Sequence, residues 1–150
     1  MLSVIQRVAS ARVEVHGETI GAIEQGLLVL VCAQAGDNAE TAQRFLHKLL
    51  RLRIFEDDAG KMNRSVQSLD GQGQCGGLLL VSQFTLAADT RSGTRPGFTG
   101  AAEPVMARAW FEDLVLQARA QHPIVATGRF ATDMQVHLVN DGPVTIPMNL

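Results

Sequence analysis

Few residues of this 150-residue chain stand at the spacings that side-chain chemistry requires. The four histidines lie at metal-ligand spacing from neither one another nor a cysteine, so no metal site is predicted and each is interpreted as a structural or surface residue. Ser82 could be a nucleophile, but it lacks the Gly-x-Ser-x-Gly turn that exposes such a serine. The Gly-x-x-x-x-Gly-Lys-Ser/Thr motif is absent. A Gly-x-Gly-x-x-Gly spacing occurs from Gly71 to Gly76, but it lies in the loop before the strand predicted at Leu78 rather than between a strand and a helix, so no nucleotide cofactor is expected.

The clusters of charged residues are also interpreted as having no catalytic role. Asp57 and Asp58 form a carboxylate pair, but they lie in a turn that ends at Gly60, where solvation is the simpler interpretation. A second cluster consists of four cations on one predicted helix: Arg44, Lys48, Arg51 and Arg53. They are interpreted as spread over both sides of this helix and solvated, and a contact with phosphate is the open alternative. Generic motifs alone therefore leave the reaction undetermined.

Two short segments remain as candidates for a site. Ser82 to Leu86 places polar groups where an apolar strand ends, a position that the sheet holds rigid while the following loop gives access. The alternative is an ordinary strand end whose hydroxyls are hydrogen-bonded. Asn140 to Thr145 contains adjacent Gly142 and Pro143, and its alternative is a plain hairpin turn.

Strands are predicted wherever β-branched residues are enriched or apolar residues alternate or run together. The last two predicted strands are joined by a turn from Asn140 to Pro143. The predicted strands are Leu2 to Ala9, Arg12 to His16, Glu18 to Glu24, Leu27 to Val31, Leu78 to Gln83, Met134 to Val139 and Val144 to Met148.

Two main helices are predicted from the spacing of apolar residues. The second begins near Pro104, after a long polar loop from Ala87 to Gly100. The first is capped by Asp37 or Asn38, and its apolar residues follow one helical stripe: Ala42, Phe45, Leu46, Leu49 and Leu50. The order of elements predicts one α/β domain over residues 1–150, with a mixed sheet.

Composition narrows the class of protein. Apolar residues make up 46% of the chain and charged residues 19%, which favours a globular chain over a disordered one. A net charge of −2 does not support wrapping a long nucleic acid, although it is compatible with gripping a few terminal nucleotides. Leu27 to Ala33, the longest apolar run, is too short for a membrane span, and no secretory signal is recognised. Cys32 and Cys75 match no zinc or redox spacing, so reduced thiols in a cytoplasmic protein are expected.

The chain resembles the D-aminoacyl-tRNA deacylases along essentially its whole length. One mild departure is Gly97, where many relatives have serine. The matching blocks occur in the order of the family: Leu52 to Asp57, Gly60 to Asn63, Val81 to Leu86, Asp89 to Arg91, Arg95-Pro96, Thr127 to Phe130, Asp133 to Val136 and Leu138 to Thr145.

This resemblance implies a compact single α/β domain with a mixed, partly barrel-like β-sheet and two main helices. It also implies a homodimer that hydrolyses the ester of a D-amino acid, or of glycine mischarged on tRNA(Ala), without metal or cofactor. The family's cis Gly-Pro peptide reaches into the partner's pocket, a role that falls on Gly142 and Pro143, with Arg7 tied to the loop. Phe130 and Met134 are assigned to substrate binding. The catalytic wall falls on Ser82, Gln83, Phe84 and Thr85.

A site that accepts many D side chains and rejects L-amino acids has to recognise the chiral centre, a task that suits rigid backbone carbonyls. Because an aminoacyl ester is already activated, we expect backbone N–H groups near Phe84 and Thr85 to stabilise the oxyanion. The ribose 2′-hydroxyl takes part in this mechanism, and the Thr85 hydroxyl positions it. Two alternatives stay open, a non-catalytic module that binds the tRNA 3′ end and a hydrolase of simple D-amino acid esters.

Overall fold

The chain forms eight β-strands and two α-helices in a computed structural model that describes residues 1–150. A short 3₁₀ helix, Phe84–Ala87, follows the sixth strand. In chain order the elements are β1 Leu2–Val15, β2 Glu18–Ile23, β3 Gly26–Cys32, α1 Ala39–Leu50, β4 Phe55–Glu56, β5 Met62–Arg64, β6 Gly77–Ser82, α2 Pro104–Gln121, β7 Val125–Thr127 and β8 Gln135–Asn149.

β1 is the central strand of a six-stranded mixed sheet. The strand order is β2-β1-β3-β6-β7, and β8 pairs with β1. One edge of β1 pairs with β3 up to Val8 and with β2 from Ala11 onward, while its other edge pairs with β8. The β3–β6 and β6–β7 pairs are parallel and the others are antiparallel. β4 and β5 form a separate small hairpin around the turn predicted at Asp57 to Gly60.

The two ends of this sheet approach each other, which makes it barrel-like. β2 lies against β7, and a Cβ atom built on Gly21 would stand 2.5 Å from the carbonyl oxygen of Thr127. Only a residue without a side chain permits this approach of two backbones. The predicted α/β domain with a mixed, partly barrel-like sheet and two main helices is therefore confirmed.

Both helices bury apolar stripes against the sheet. All five residues of the predicted stripe on α1 are buried. Asn38 is the cap of α1, because its Oδ1 accepts a hydrogen bond from the backbone N of Thr41 at 3.1 Å. Asp37, the other candidate, instead accepts from the backbone N of Gln34 and pairs with the amino group of Met1. α2 begins at Pro104 as predicted, and its buried residues are Trp110, Phe111, Leu114, Val115 and Ala118.

Several predicted strand boundaries are wrong. The two strands predicted before and after Ser10 are one strand, β1, because β8 shifts its register beside Ser10 and pairing continues. β6 ends at Ser82 rather than Gln83, where the 3₁₀ helix takes over. β7, Val125–Thr127, was not predicted, since its three residues carry no periodicity and gain strand geometry only by pairing with β6.

The hairpin turn expected from Asn140 to Pro143 is also wrong. The flanking segments form one strand, β8, which runs in one direction beside β1. Thr145 pairs with Gln6 and Asn140 pairs with Val8, so the four residues between them stand opposite Arg7 alone. The segment 141–144 is therefore a large bulge, whose extra residues have no partners in the ladder.

Two expectations concerned membranes and cysteines. Neither helix is long and apolar enough to cross a membrane. Cys32 and Cys75 are both free of disulfides. Burial raises the pKa of the Cys32 thiol, which keeps it protonated near neutral pH and weakens it as a nucleophile.

Candidate active site

A cavity of about 850 Å³ opens between the carboxyl ends of β3 and β6 and the start of α2. This volume lies within the range of small-molecule pockets, about 300–1,000 Å³. The two parallel strands supply Val31 to Ala33 and Val81 to Gln83, and Phe84 extends that wall. The loop before α2 supplies the stretch from Phe98 to Pro104. The lining is mostly apolar, and its polar residues come from the end of β6 and from two loops.

Five of the predicted site residues line this cavity. The start of this wall is fixed by the sheet, because the backbone N of Gln83 donates to the carbonyl oxygen of Val31 at 2.7 Å. Ser82 pairs with Val31 in the parallel ladder and closes β6. The five residues are Ser82, Gln83, Phe84, Phe130 and Met134.

Phe84 and Thr85 begin the 3₁₀ helix that follows β6. The first N–H groups of a helix have no partner inside it, so these two residues are free to donate. The Phe84 side chain is 59% exposed and packs edge-on against Phe98, with ring centroids 5.1 Å apart. Cys32 supports the wall from the interior, since its Sγ lies 3.7 Å from the carbonyl oxygen of Phe84. Thr85 lies outside the lining, and its hydroxyl accepts a hydrogen bond from Gln83 Nε2.

Phe130 and Met134 form another wall of the cavity. The Arg108 guanidinium lies 4.8 Å from the centroid of the Phe130 ring, which also packs against Phe111 at 6.3 Å between centroids. Met134 is packed tightly, because its sulfur would stand 2.8 Å from a Cβ atom built on Gly128. Both side chains are therefore held by neighbours rather than left free in solvent.

Gly142, Pro143 and Arg7 do not line the cavity of their own chain. They lie together at the bulge of β8, where Gly142 and Pro143 are exposed and joined by a cis peptide bond. The structure thus brings eight of the nine predicted residues together as two groups, five in the cavity and three at the bulge, while Thr85 follows Phe84 just outside the lining.

Arg7 anchors this bulge from below. Its side chain is only 5% exposed, and its Nη1 donates to the carbonyl oxygen of Ile54 at 2.7 Å. Its Nε donates to the carbonyl oxygen of Asp141 at 3.1 Å and lies 3.3 Å from that residue's Oδ2. Glu56 Oε1 lies 3.8 Å from Nη2. A Cβ atom on Gly142 would stand 3.0 Å from Nη2, so the guanidinium packs directly under the Gly-Pro peptide.

Sequence reasoning missed the part of the cavity formed by the loop before α2. Neither Phe98 nor Trp110 was among the predicted site residues, although both line the cavity. An aromatic residue inside a polar loop, such as Phe98, was the available indication of a site. No local sequence pattern indicates that Trp110 belongs to a site, because its partner is distant in sequence. Its indole N–H donates to the carbonyl oxygen of Asn38, 72 positions away, at 3.3 Å.

The cavity contains no pair of nucleophile and base. No histidine lines it, and its acidic side chains are Glu103 and Asp133. Nowhere in the chain do three His, Cys, Asp or Glu side chains converge as metal ligands. Ser82 has no imidazole partner, and the Cys32 thiol is buried. The cavity's mostly apolar lining suits an apolar or aromatic ligand.

The structure defines a single-domain α/β protein with a mostly apolar cavity at the ends of two parallel strands. A family model described as D-Tyr-tRNA(Tyr) deacylase matches residues 4–149, and the chain belongs to this family. The family predicted from the sequence motifs is thereby confirmed, and the chain is an enzyme of the deacylase class.

Two named relatives agree with this assignment, and two solved structures share the fold. The chain is 67% identical to the D-aminoacyl-tRNA deacylase of Polaromonas naphthalenivorans (strain CJ2), covering 100% of this chain and 97% of the relative. It is 65% identical to that of Acidovorax ebreus (strain TPSY), with coverage of 100% and 98%. The structure of "c-Myc DNA Unwinding Element Binding Protein" is similar with a TM-score of 0.90 and 37% identity, covering 100% of this chain and 99% of that one. A probable eukaryotic D-amino acid tRNA deacylase, 15% identical with a TM-score of 0.78, shares the fold over 99% and 98% of the two chains.

Proposed function

We propose that the protein hydrolyses the ester bond of D-aminoacyl-tRNAs and releases free D-amino acid and tRNA. The observation that carries this proposal is the position of Ser82 to Phe84 in the wall of a large cavity, within a chain that matches the family throughout. The exposed Phe84 ring suits stacking of the terminal adenine, because aromatic side chains stack on unpaired bases. The mostly apolar lining leaves room for an amino acid side chain beside it.

Hydrolysis in this site relies on backbone donors. A water molecule adds to the ester carbonyl carbon, and the N–H groups of Phe84 and Thr85 stabilise the oxyanion that forms. The bond to the ribose oxygen then breaks, and that oxygen takes up the proton that the attacking water gives up. The ribose 2′-hydroxyl assists this proton transfer. Thr85 positions it through a hydroxyl that Gln83 Nε2 holds in place, which makes Thr85 a positioning residue rather than a nucleophile.

Selection against L-amino acids falls to Gly142 and Pro143 of a second subunit. The bulge that carries them is exposed and lies outside the cavity of its own chain, so a homodimer is needed to complete the site. Carbonyl groups of the bulge accept bonds from the substrate ammonium and occupy the space of an L side chain. Glycine mischarged on tRNA(Ala) is accepted, since it has no side chain to be excluded.

The direct test compares three substrates at equal enzyme concentration. We expect rapid release of tyrosine from D-Tyr-tRNA, none above background from L-Tyr-tRNA, and little from D-tyrosine methyl ester. Tight binding of D-Tyr-tRNA without hydrolysis would instead support a non-catalytic module that binds the tRNA 3′ end. Equal turnover of the methyl ester would support a small-molecule esterase.

The assignment of Gly142 is tested by Gly142→Val. A valine Cβ would stand 2.8 Å from Val144 Cγ2 and 3.0 Å from Arg7 Nη2, and φ is +125°. The variant should therefore crowd the bulge and lose hydrolysis of D-Tyr-tRNA. Gly73→Val is the matched control, because its φ is +100° but nothing lies within 4 Å of the added Cβ. Full activity of Gly142→Val would remove this residue from the site.

A further inference from the structure

A basic groove runs along the solvent side of α1, outside the cavity. Arg44, Lys48 and Arg51 are spaced at i, i+4 and i+7, opposite the buried stripe of the helix, so the expected spread over both sides is wrong. Arg53 extends the same groove just beyond the helix. We define the basic groove by six of its lining residues: Gln43, Arg44, His47, Lys48, Arg51 and Arg53.

The four cations of this groove have no carboxylate partners. All four are exposed, and none lies within 4.0 Å of an acidic group. Glu40 is the one acidic side chain in the lining. Elsewhere in the chain five arginines do pair with carboxylates: Arg7, Arg12, Arg64, Arg91 and Arg108. In a chain of net charge −2, this groove is therefore a local concentration of free positive charge.

The end of the groove is connected to the bulge that carries Gly142 and Pro143 through Ile54 and Arg7. Arg53 is followed by Ile54, whose carbonyl oxygen accepts the 2.7 Å hydrogen bond from Arg7 Nη1. Arg7 in turn holds Asp141 through the 3.1 Å bond from its Nε. The last cation of the groove is thus two hydrogen-bonded steps from the bulge.

We infer that the basic groove binds phosphates of the double-stranded acceptor arm of the RNA substrate, an inference that rests on the proposed deacylase function. Arg44 to Arg51 spans about 10 Å along the helix axis, at about 1.5 Å per residue, which suits a row of phosphates rather than one ion. Arginine, which supplies three of the four cations, presents a planar fork that pairs with phosphate oxygens. A membrane surface is a poorer fit, because the apolar face of α1 is buried in the core.

The experiment measures deacylation of D-Tyr-tRNA against salt for two charge-matched double variants. Lys48→Gln/Arg51→Gln removes two cations from the groove. Arg12→Gln/Arg119→Gln removes two exposed cations that line neither groove nor cavity. A D-tyrosylated trinucleotide that ends in adenosine serves as a second substrate without a duplex, and uncharged tRNA serves as a binding probe.

Two phosphate contacts contribute a slope of about −1.8 in a plot of log kcat/KM against log salt concentration. Raising salt from 50 to 200 mM should therefore reduce the wild-type value about tenfold more than that of the groove variant. The control should follow the wild type, and all proteins should treat the trinucleotide alike. If both variants were active and had equal salt slopes, phosphate binding by the groove would be rejected, while the deacylase function would stand.

A wild-type protein that hydrolyses neither substrate would overturn the proposed function instead. The binding of uncharged tRNA then tests phosphate binding by the groove independently of hydrolysis. A shallower salt dependence confined to Lys48→Gln/Arg51→Gln would support it, and equal binding by the two variants would reject it. Displacement of tRNA from the groove by an acidic peptide as readily as by a short RNA duplex would also reject specificity for the RNA backbone.

Discussion

The contact between Arg7 and the bulge allows a quantitative prediction for Arg7→Lys. Lysine keeps the positive charge but has one ammonium group, which cannot reach both the carbonyl oxygen of Ile54 and that of Asp141. Losing one hydrogen bond from a charged donor costs about 1.5–3 kcal/mol. The ion pairs to Glu56 and Asp141 add little to this loss, because those side chains are 58% and 49% exposed and lysine can still approach them.

We therefore expect Arg7→Lys to lower the free energy of unfolding by about 2 kcal/mol, or about 4–8 °C in Tm for a domain of this size. If the proposed role of the bulge is right, kcat/KM for D-Tyr-tRNA should fall at least about tenfold in protein that is fully folded, because a displaced bulge misplaces the substrate. Chemical denaturation and initial rates at 25 °C measure the two effects. Arg12→Lys, on the same strand but exposed, is the matched control and should change neither. If Arg7→Lys were as stable as the wild type, the hydrogen bonds from Arg7 would not stabilise the bulge as argued. If the variant were less stable but fully active, Arg7 would stabilise the fold without a role in the site.

Three further predictions concern other parts of the chain. Gly21→Ala should lower Tm by several degrees in thermal unfolding without changing the family's reaction, because the added Cβ would press on the backbone of Thr127; an unchanged Tm would mean that the sheet ends do not meet there. Thr85→Ala should keep measurable deacylation of D-Tyr-tRNA, whereas loss as complete as that of a missing nucleophile would contradict its positioning role. Asp57 has a lowered pKa, chiefly through the hydrogen bond from Asn63, so it stabilises the fold above the usual pKa of an aspartate and this contribution is lost as pH falls through the lowered value. Asp57→Asn should therefore flatten the acid limb of a stability–pH profile below about pH 4, and an unaltered limb would refute the assignment.

Periodicity alone predicted the parts of the fold that bury a continuous apolar face. The stripe of α1 and the buried runs of β3 and β6 are such parts, since an apolar stripe at helical spacing or an unbroken apolar run has one efficient way to be buried. Val125–Thr127 is the opposite case, because its strand geometry comes from pairing with β6 and leaves no local pattern. The closure of the sheet at Gly21 is likewise invisible locally, since the residue it approaches lies more than a hundred positions away.

The lining of the cavity was predictable only where a local sequence feature marks it. Ser82 to Phe84 could be singled out because a polar group at the end of a buried strand is a local feature. The contribution of Trp110 could not, because an apolar residue on a helical stripe serves a core and a cavity wall equally well. Phe130 and Met134 entered only through the family resemblance. Their place in the wall depends on Phe111 and Gly128, which hold them there.

The bulge shows why Gly142 and Pro143 were first interpreted as a hairpin turn. A Gly-Pro pair between two segments of alternating residues is compatible with either a hairpin or a bulge. Only the partner strand distinguishes the two structures. Here Arg7 is that partner, and its long side chain occupies the space that four unpaired residues of β8 leave open. A smaller residue at position 7 would leave the carbonyl oxygens of Ile54 and Asp141 without this donor, so the strand and its bulge depend on one arginine. The exposed glycine and proline are therefore held in place by a buried charge, which ties the stability of the β1–β8 ladder to the proposed selection of the substrate.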